Sequence, residues 1–568
     1  MAGKAVVIGS GIGGGTAAMV LSAAGWQVVV FEKGVNHFTD LTAASPGTLY
    51  ANDELKSRRA FGLADPLVDP RTFRRSAAEA TPRVVGLVNT LPTTVGGGTV
   101  FWDAKVPRFW DIDFAKHSAL GPIAGADIAD WPFTYAELAP WYGQAEAILG
   151  VQGDLDGLPA RPTLAHAPRS GPFAMPPGPA QYGSLLAAAG ARAIGLHPFP
   201  FPMAINSVDH DGRPGCNDCG LCSGYGCPIL ARAGALAPLR RALRTGRVEL
   251  RTECFVHRVE RRGTRATGVS YLDAAGRPGY EPADLIVLAA SAVETTRLAL
   301  LSEFPDPHGL LGRHLMFHWF TDGSGVFLGH RVHANRGRST SHAAEDFADP
   351  EFPGARTAAA AAGLPYFRGG LLELGGTQEP IAEALNYKQL LPLLAPSQPF
   401  GAAFKQLMRA SLLRDRLLGV TMVGEDLAQP SNRVDLDPQV RDAYGVPVAR
   451  ITYSPHRHEL AAQRFYQPHL VRLLKAAGAD AALAVPATSF DGTVGGEGDA
   501  PTGMHIMGGM PMGHDPRSSV CDPHGAVRGI DNVVVSDASV FVTSGAANPT
   551  LTLMAIALRN LTHQANPR

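Results

Sequence analysis

A glycine-rich turn near the N-terminus has the composition of a phosphate-binding loop. Its residues are Gly9, Ser10, Gly11, Ile12, Gly13 and Gly14. An apolar strand at residues 5–8 precedes the turn, and a helix of small residues follows at 16–24. In this arrangement the glycines allow a tight turn and close approach of a pyrophosphate, which lies at the positive end of the helix dipole. The turn therefore predicts a dinucleotide site.

The next strand adds a further candidate residue to this unit. Residues 27–31 form an apolar run that ends at Glu32. An acidic residue at this place binds the ribose hydroxyl groups of a dinucleotide. The succession of strand, turn, helix, strand and acid predicts a Rossmann-like fold. Within it we predict six cofactor-binding residues: Gly9, Ser10, Gly11, Ile12, Gly14 and Glu32.

Four of the six cysteines lie within twelve positions of the sequence: Cys216, Cys219, Cys222 and Cys227. Thiolates at such spacing can converge on an iron–sulfur cluster, and Pro228 after the last cysteine is typical of ferredoxins. Four thiolates can also bind zinc tetrahedrally. The third interpretation, which we favour, is a structural turn without metal. Cys254 and Cys521 are expected to be buried apolar residues.

Two pairs of histidines are spaced so that they could share a metal ion or a surface. They are His314 with His318, and His456 with His458. The first pair lacks the adjacent acidic residue of the zinc-protease pattern. We therefore expect these histidines to line a cavity or to pack in the interior.

Length and composition indicate a large folded protein. The chain has 568 residues, 45% hydrophobic and 18% charged, enough apolar material for two or three domain-sized cores. Lys and Arg total 50 against 51 Asp and Glu, a balance that does not favour nucleic acid as a partner. No apolar run reaches the about 18 residues of a membrane span, and no signal peptide is evident. We expect a cytoplasmic protein without an integral membrane span.

Several elements are predicted beyond the N-terminal unit. Residues 230–244 have a helical pattern, residues 248–259 read as one strand, and residues 284–289 as a buried strand. From about 316 to 500 the composition changes to polar loops and histidines. We expect this region to form a separate unit that faces the substrate.

Taken together, widely separated segments resemble the glucose-methanol-choline (GMC) oxidoreductases. The resemblance depends on the turn at 9–14, the glycine loop at 95–99, Asp537-Ala538-Ser539, and the C-terminal Asn548-Pro549-Thr550-Leu551-Thr552. It extends to Asp130-Trp131-Pro132 and to residues 288–294, and it is weakest between 320 and 500. Asn548 stands where many members have a second histidine and where the cholesterol-oxidase-like branch has asparagine; bacterial sugar dehydrogenases are also near.

The resemblance implies an α/β (α+β) fold with two interleaved domains. Residues 1–50, 215–315 and 500–568 would form a discontinuous Rossmann-like FAD-binding domain. Residues 51–214 and 316–499 would form a β-sheet-based substrate-binding domain with its cap. Further FAD contacts follow from matching positions: Gly96, Gly97, Thr99, Val256, Ala290, Asp537, Ala538, Pro549 and Thr550. Ser291 departs from the family, which usually has glycine there.

The resemblance also implies the reaction and its residues. His505 matches the active-site histidine, and with Asn548 it forms the predicted catalytic pair. Oxidation of an alcohol requires a base for the hydroxyl proton, which imidazole provides near neutral pH. FAD accepts the hydride at N5. The Asn amide can orient the substrate oxygen and stabilise charge on it without acting as a base.

The implied activity is oxidation of a primary or secondary alcohol to a carbonyl. A sugar or glycoside, a sterol-like or other ring alcohol, and a long-chain alcohol remain candidate substrates, with Asn548 favouring a bulky ring. The electron acceptor is left open among oxygen, a quinone and a protein. Two alternatives are a non-oxidative flavin lyase or decarboxylase on the same fold, and an electron-transfer flavoprotein subunit with an iron–sulfur cluster.

Overall fold

The computed structural model describes most of the chain. The described residues are 3–44, 46–49, 65–89, 91–159, 169, 171–222, 224–376, 397, 399–487 and 505–565. The strands are β1 Lys4–Ile8, β2 Gln27–Phe31, β3 Arg71–Arg74, β4 Val84–Gly86, β5 Phe199–Pro200, β6 Val248–Arg251, β7 Phe255–Arg262, β8 Arg265–Leu272, β9 Pro278–Pro282, β10 Leu285–Leu288, β11 Trp319–Val326, β12 His342–Ala344, β13 Gly370–Leu374, β14 Leu417–Gly424, β15 Arg433–Arg441, β16 Pro447–Thr452, β17 Ala481–Ala487 and β18 Val533–Val535.

The helices connect and cover these strands. The α-helices are α1 Ile12–Ala23, α2 Asp111–Phe114, α3 Lys116–Leu120, α4 Tyr135–Leu149, α5 Tyr182–Ala193, α6 Leu236–Leu243, α7 Ala292–Leu301, α8 Ala355–Ala361, α9 Ala402–Ala410, α10 Arg457–Ala476 and α11 Thr550–Ala565. Short 3-10 helices lie at Gly97–Val100, Asp346–Ala348 and Ala538–Val540. Within the described part of the chain, no helix combines the length and the apolarity that a membrane crossing requires.

A parallel five-stranded sheet carries the N-terminal glycine turn. Its strand order is β18-β10-β1-β2-β6, so strands from the beginning, middle and end of the chain lie side by side. The strands are rich in valine because helices cover both faces of such a sheet. Helix α1 is rich in glycine and alanine and packs between α6 and α11. Its small side chains let the helix lie close to the sheet.

A second sheet has six antiparallel strands. Its order is β17-β11-β14-β13-β12-β5. One face packs on α10, where Leu372 and Met422 share a hydrophobic core with Tyr466 and Leu470. Smaller sheets, β15-β16-β3-β4 and β7-β8-β9, complete the architecture. The mixed α/β fold class is confirmed, whereas the exact domain boundaries stay a prediction.

Two sequence predictions of local structure are corrected. The helix expected at 230–244 begins only at Leu236, because Leu230 has a left-handed φ of 56° and the residues after it run irregularly. The strand expected at 248–259 is two strands, β6 and β7, which belong to different sheets. The break coincides with Glu253, whose φ of 55° turns the chain. The buried strand predicted at 284–289 is confirmed as β10.

A buried pair of carboxyl groups holds the start of β11 against α10. Asp426 and Glu459 are hydrogen-bonded to each other, and burial raises the pKa of both. Asp426 Oδ2 also accepts from the backbone N of Phe317 at 2.6 Å and from the hydroxyl of Tyr453 at 2.9 Å. The pair therefore retains a shared proton at a pH where exposed carboxyl groups have lost theirs.

We predict that Glu459→Gln changes the pH dependence of stability. In the unfolded chain Glu459 ionises above about pH 4. Since the folded pKa is raised, the folded state holds more protons, and wild-type stability falls as pH rises from there through the folded pKa. An amide does not titrate in this range. The free energy of unfolding of the variant, relative to that of the wild type, should therefore increase by about 1.4 kcal/mol for each pH unit in that window.

The measurement is the free energy of unfolding at about pH 5 and about pH 8 for both proteins. Glu303→Gln, at a side chain that is 76% exposed, is the matched control and should follow the wild type at both values. A difference between Glu459→Gln and the wild type that is independent of pH would contradict the shared proton.

Candidate active site

The glycine turn is shaped by close backbone approaches on one side and by open space on the other. A Cβ atom at Gly13 would lie 1.6 Å from the carbonyl oxygen of Ser536, and one at Gly14 would lie 1.8 Å from that of Gly9. At Gly11, by contrast, a Cβ would meet no atom within 4 Å. Gly13 and Gly14 are thus packing glycines, whereas Gly11 borders a cradle at the N-terminus of α1.

The buried carboxylate of Glu32 ties the turn to the second glycine loop. Its Oε2 accepts hydrogen bonds from the backbone N and the hydroxyl of Ser10 at 3.1 and 2.6 Å. The backbone N of Gly96 in turn donates to the Ser10 hydroxyl at 3.0 Å. Burial raises the pKa of Glu32. The predicted residues Ser10, Glu32 and Gly96 therefore meet at one place, and a Cβ at Gly97 would lie 3.2 Å from Cα of Gly11.

The opposite wall of the cradle comes from α7 and the C-terminal segment. Thr295 Oγ1 donates to Asp537 Oδ2 at 2.5 Å and accepts from the backbone N of Ala290 at 3.1 Å. Ser539 N and Oγ donate to the other oxygen of Asp537. Asp537 therefore clamps the N-terminus of α7, and its carboxylate is occupied by protein donors.

Ser291, the residue immediately before α7, has a backbone conformation that normally requires glycine. Its φ is 79° and its ψ is 159°, a region that costs a residue with a Cβ about 1 to 3 kcal/mol. Serine at this position, where the family usually has glycine, therefore leaves the backbone strained beside the cradle.

His505 lies where the C-terminal segment pairs with the chain entering β11. Met316 and Met507 exchange backbone hydrogen bonds of 2.8 and 2.9 Å in antiparallel fashion. Two residues further on, the same register brings His318 opposite His505. Their Nδ1 atoms are 2.9 Å apart. The ring of Phe320 lies 5.5 Å from that of His505, between centroids.

Asn548 reaches the same place from the loop that precedes α11. Its Nδ2 lies 3.5 Å from Nε2 of His505 and donates to Glu373 Oε1 at 3.2 Å. The other oxygen of Glu373 accepts from Lys105 Nζ at 2.5 Å. Lys105 also pairs with Asp103 at 3.0 Å, and these carboxylates raise its pKa. The amide of Asn548 is 7% exposed, so its orientation is set by these contacts.

The chain resembles known proteins over nearly its whole length. Residues 202–320 and 428–557 match sequence models of GMC oxidoreductases. It is 30% identical to paromamine 6'-oxidase of Streptomyces fradiae, over 98% of this chain and 90% of that protein. The chain belongs to the GMC oxidoreductase family. Another relative is 2-methyl-1,2-propanediol dehydrogenase of Mycolicibacterium austroafricanum, 28% identical over 98% of this chain and 93% of that protein.

Solved structures agree on the fold of this GMC oxidoreductase. Pyridoxine 4-oxidase from Mesorbium loti superposes with a TM-score of 0.61 at 17% identity, covering 98% of each chain. At that identity the match shows the fold alone. The predicted membership of the GMC family is confirmed, and with it the enzyme class, an oxidoreductase.

The cradle of this GMC oxidoreductase fits FAD. Gly11 leaves room for a pyrophosphate, and the N-terminus of α1 supplies backbone donors and a favourable dipole. Among the remaining predicted contacts, Thr99 Oγ1 donates to the carbonyl of Gly96 at 2.7 Å, and Ala538 O accepts from Gly508 N at 2.9 Å. Val256 lies in β7, Pro549 immediately precedes α11, and Thr550 is the first residue of that helix. Their contacts with FAD stay predictions.

The cysteine cluster does not form a recognisable metal centre. Cys222 is buried, Cys216 and Cys227 are half-buried, and Cys219 is exposed. Among the residues that the structure describes, no group of three His, Cys, Asp or Glu side chains is arranged to hold a metal ion. The iron–sulfur interpretation is therefore not supported. Cys254 and Cys521 are buried, as expected.

Three residues of the site were missed or undervalued by sequence reasoning: His318, Glu373 and Lys105. His318 was expected to line a cavity or to pack, like His314, His456 and His458. Those three are buried and are hydrogen-bonded to Asp127, to the carbonyl of Ala124 and to that of Tyr366, respectively. Nothing local distinguishes His318, because its contact with His505 depends on the pairing of distant segments.

We predict that Gly11→Ala folds but binds FAD poorly. The added methyl group meets no protein atom, so it occupies cradle space and should weaken FAD binding by roughly tenfold or more, equivalent to about 1.4 kcal/mol. The measurement is flavin absorbance per protein after gel filtration, together with FAD titration of the apoprotein.

Two further variants control this experiment. Gly13→Ala places its methyl group on the carbonyl of Ser536 and should lower the unfolding temperature itself. Gly329→Ala, in a turn where a Cβ also meets nothing within 4 Å, should bind FAD as the wild type does. Wild-type FAD affinity in Gly11→Ala would show that the cradle is not the pyrophosphate site.

Proposed function

We propose that this protein is an FAD-dependent oxidoreductase that converts a primary or secondary alcohol to a carbonyl, with His505 and Asn548 as its catalytic residues. The observation that carries the proposal is their convergence: His505 Nε2 and Asn548 Nδ2 are 3.5 Å apart although the residues are 43 positions apart. Bound FAD would accept the hydride from the carbinol carbon. The remaining chemistry, removal of the hydroxyl proton, falls to side chains of this chain.

His505 is suited to take that proton. Imidazole titrates near neutral pH and can accept from a hydroxyl group within hydrogen-bond distance. The residue itself has a left-handed φ of 56°, an uncommon backbone conformation of the kind that is found at active sites. The ring of Phe320, tilted by 40°, and the nearly perpendicular ring of His318 pack against the His505 ring and limit its rotation.

Asn548 supplies a polar group that does not compete as a base. Its amide lies between His505 and the Glu373 carboxylate. Its Oδ1 is buried and has no hydrogen-bond partner among the described atoms. A buried acceptor of this kind costs stability unless a donor reaches it. A second hydroxyl group of the substrate, such as a sugar or polyol carries beside the reacting one, can provide that donor. The amide can then hold the substrate while the proton of the reacting hydroxyl group is left for the His505 ring.

The FAD contacts of the proposal are the residues around the cradle. They are Gly9, Ser10, Gly11, Ile12, Gly14, Glu32, Gly96, Gly97, Thr99, Val256, Ala290, Asp537, Ala538, Pro549 and Thr550. Ser10, Glu32 and Gly96 support this assignment by their mutual hydrogen bonds. Gly508, three residues from His505, bonds to Ala538, which links the proposed catalytic and cofactor segments.

The substrate is proposed to be a polar, hydroxyl-bearing molecule. On the face of the six-stranded sheet that carries Phe320, the next row of side chains contains Asp322, Thr421 and Glu373. Carboxylate and hydroxyl groups accept hydrogen bonds from hydroxyl groups, which suits a sugar or polyol better than a sterol. The names of two relatives, 2-methyl-1,2-propanediol dehydrogenase and paromamine 6'-oxidase, support a hydroxyl-bearing substrate.

The test is anaerobic reduction of the flavin by a panel of sugars, polyols, sterols and aliphatic alcohols. We expect one class to bleach the flavin absorbance of the purified protein. With that substrate, His505→Ala should lower the reduction rate by roughly 10²- to 10⁴-fold, the range of general-base catalysis, and should keep its flavin. His330→Ala, an exposed histidine, is the matched control and should reduce flavin at the wild-type rate.

Two outcomes would contradict the proposal. Reduction of His505→Ala at the wild-type rate would remove His505 from the catalytic role. A folded protein that contains no flavin after incubation with FAD would remove the cofactor and the reaction together.

A further inference from the structure

We propose that His318 is a positioning residue that fixes the tautomer of His505, so that the catalytic nitrogen Nε2 carries a lone pair. This inference rests on the proposed function, since it concerns the base of that reaction. The choice between the two neutral tautomers matters because only a ring nitrogen without hydrogen can accept the hydroxyl proton. His318, His505 and Asn548 lie in a series of hydrogen bonds, and the donor and acceptor roles at both of its ends are fixed.

The first end of the series is made of backbone carbonyl groups. His318 Nε2 lies 3.1 Å from the carbonyl oxygen of Ser544 and 3.3 Å from that of Gly545. Carbonyl oxygens can only accept, so His318 Nε2 must carry hydrogen. The ring is 2% exposed, and burial lowers the pKa of His318 to about 4. At neutral pH the ring is uncharged, and its Nδ1 is therefore an acceptor.

The acceptor role of His318 Nδ1 determines which nitrogen of His505 carries the hydrogen. The two Nδ1 atoms are 2.9 Å apart, and a hydrogen bond between them needs one donor and one acceptor. Because His318 Nδ1 is the acceptor, His505 Nδ1 must carry the hydrogen. In a neutral imidazole the other nitrogen then holds a lone pair. His505 Nε2 is thereby left as the acceptor, on the side where Asn548 lies.

The hydrogen bonds at the other end of the series, from Lys105 to Asn548, independently indicate that His505 Nε2 is an acceptor. Lys105 has only donors and Glu373 has only acceptors when ionised, and their ion pair leaves Glu373 Oε1 to accept from Asn548. The Asn548 amide must therefore present its NH₂ group to this carboxylate. That NH₂ group is the part of Asn548 that lies toward His505 Nε2, which must be an acceptor.

Charges around His318 do not disturb this arrangement. The nearby carboxylate of Glu425 is bound by Lys116 Nζ at 2.9 Å and by Arg368 at 3.1 Å. These cations lower the pKa of Glu425. His505 is the titratable partner on the other side. When His505 Nε2 takes a proton, its Nδ1–H bond to neutral His318 becomes charge-assisted, which stabilises the imidazolium.

The experiment compares His318→Phe, which removes both ring nitrogens, with His318→Gln. The Gln side chain can accept from His505 through its oxygen and donate to the carbonyl groups through its NH₂. We expect Phe to lower the maximal rate of flavin reduction by roughly 10- to 100-fold, the scale of an orienting partner, with little change in KM. Gln should recover part of the rate.

His458→Phe is the matched control. His458 is also buried, its Nε2 bonds to a backbone carbonyl at 3.0 Å, and burial lowers its pKa to about 4 as well. Its ring contacts the rings of Tyr366 and Phe367. This variant should lose stability without changing the rate for each bound flavin or the pH profile.

A direct readout does not depend on activity. In protein labelled with ¹⁵N-histidine, the ¹⁵N shifts of His505 at neutral pH should show hydrogen on Nδ1 and none on Nε2; His505→Ala identifies the signals. In His318→Phe the two tautomers should mix, and the pH profile of flavin reduction should move to lower pH, since the imidazolium has lost its acceptor.

The outcomes separate this inference from the proposed function. Hydrogen on Nε2 of His505 in the wild type would overturn the inference without any variant. Wild-type rate, pH profile and tautomer in His318→Phe would overturn it too, while His505→Ala remains inactive. If His505→Ala were itself fully active, the proposed function would fail, and the tautomer measurement would still stand.

Discussion

The antiparallel pairing of Met316 with Met507 is the constraint on which the site depends. It joins the segment that enters the six-stranded sheet to a segment whose backbone bonds to residues 538–540, shortly after β18 of the parallel sheet. Because pairing alternates along such a ladder, His318 must face His505. The same C-terminal segment continues through Gly508, which bonds to Ala538 beside the glycine cradle. One register therefore fixes the distance between the proposed base and the proposed cofactor site.

Buried polar groups stabilise this register. Their burial costs desolvation free energy, which the hydrogen bonds among them offset. Asp426 accepts from the backbone of Phe317, next to His318, and its own backbone exchanges hydrogen bonds with the Ser544 hydroxyl. The carbonyl of Ser544 is an acceptor for His318. Removing one member leaves buried groups without partners, which is strongly destabilising. Such networks favour one arrangement of the site over near alternatives, and so connect stability to chemistry.

The features that could be predicted from the sequence are those with a local sequence motif. The turn at 9–14 is recognisable because strand, glycines and helix are contiguous, and His505 and Asn548 because they stand in motifs. His318 was not recognisable, since its role depends on a register between segments 187 positions apart. The strand predicted at 248–259 was wrong because a hydrophobic pattern does not show that Glu253 turns the chain. The contacts of Glu373 and Lys105 likewise depend on tertiary pairing.

The central claim is that an alcohol loses two electrons to a bound flavin in this site. The most direct measurement mixes the protein anaerobically with a limiting amount of its alcohol and determines flavin absorbance and carbonyl product in the same sample. The account predicts one carbonyl formed for each flavin bleached. Conversion of the substrate while the flavin stays oxidised would contradict it and would indicate a non-oxidative reaction on the same fold.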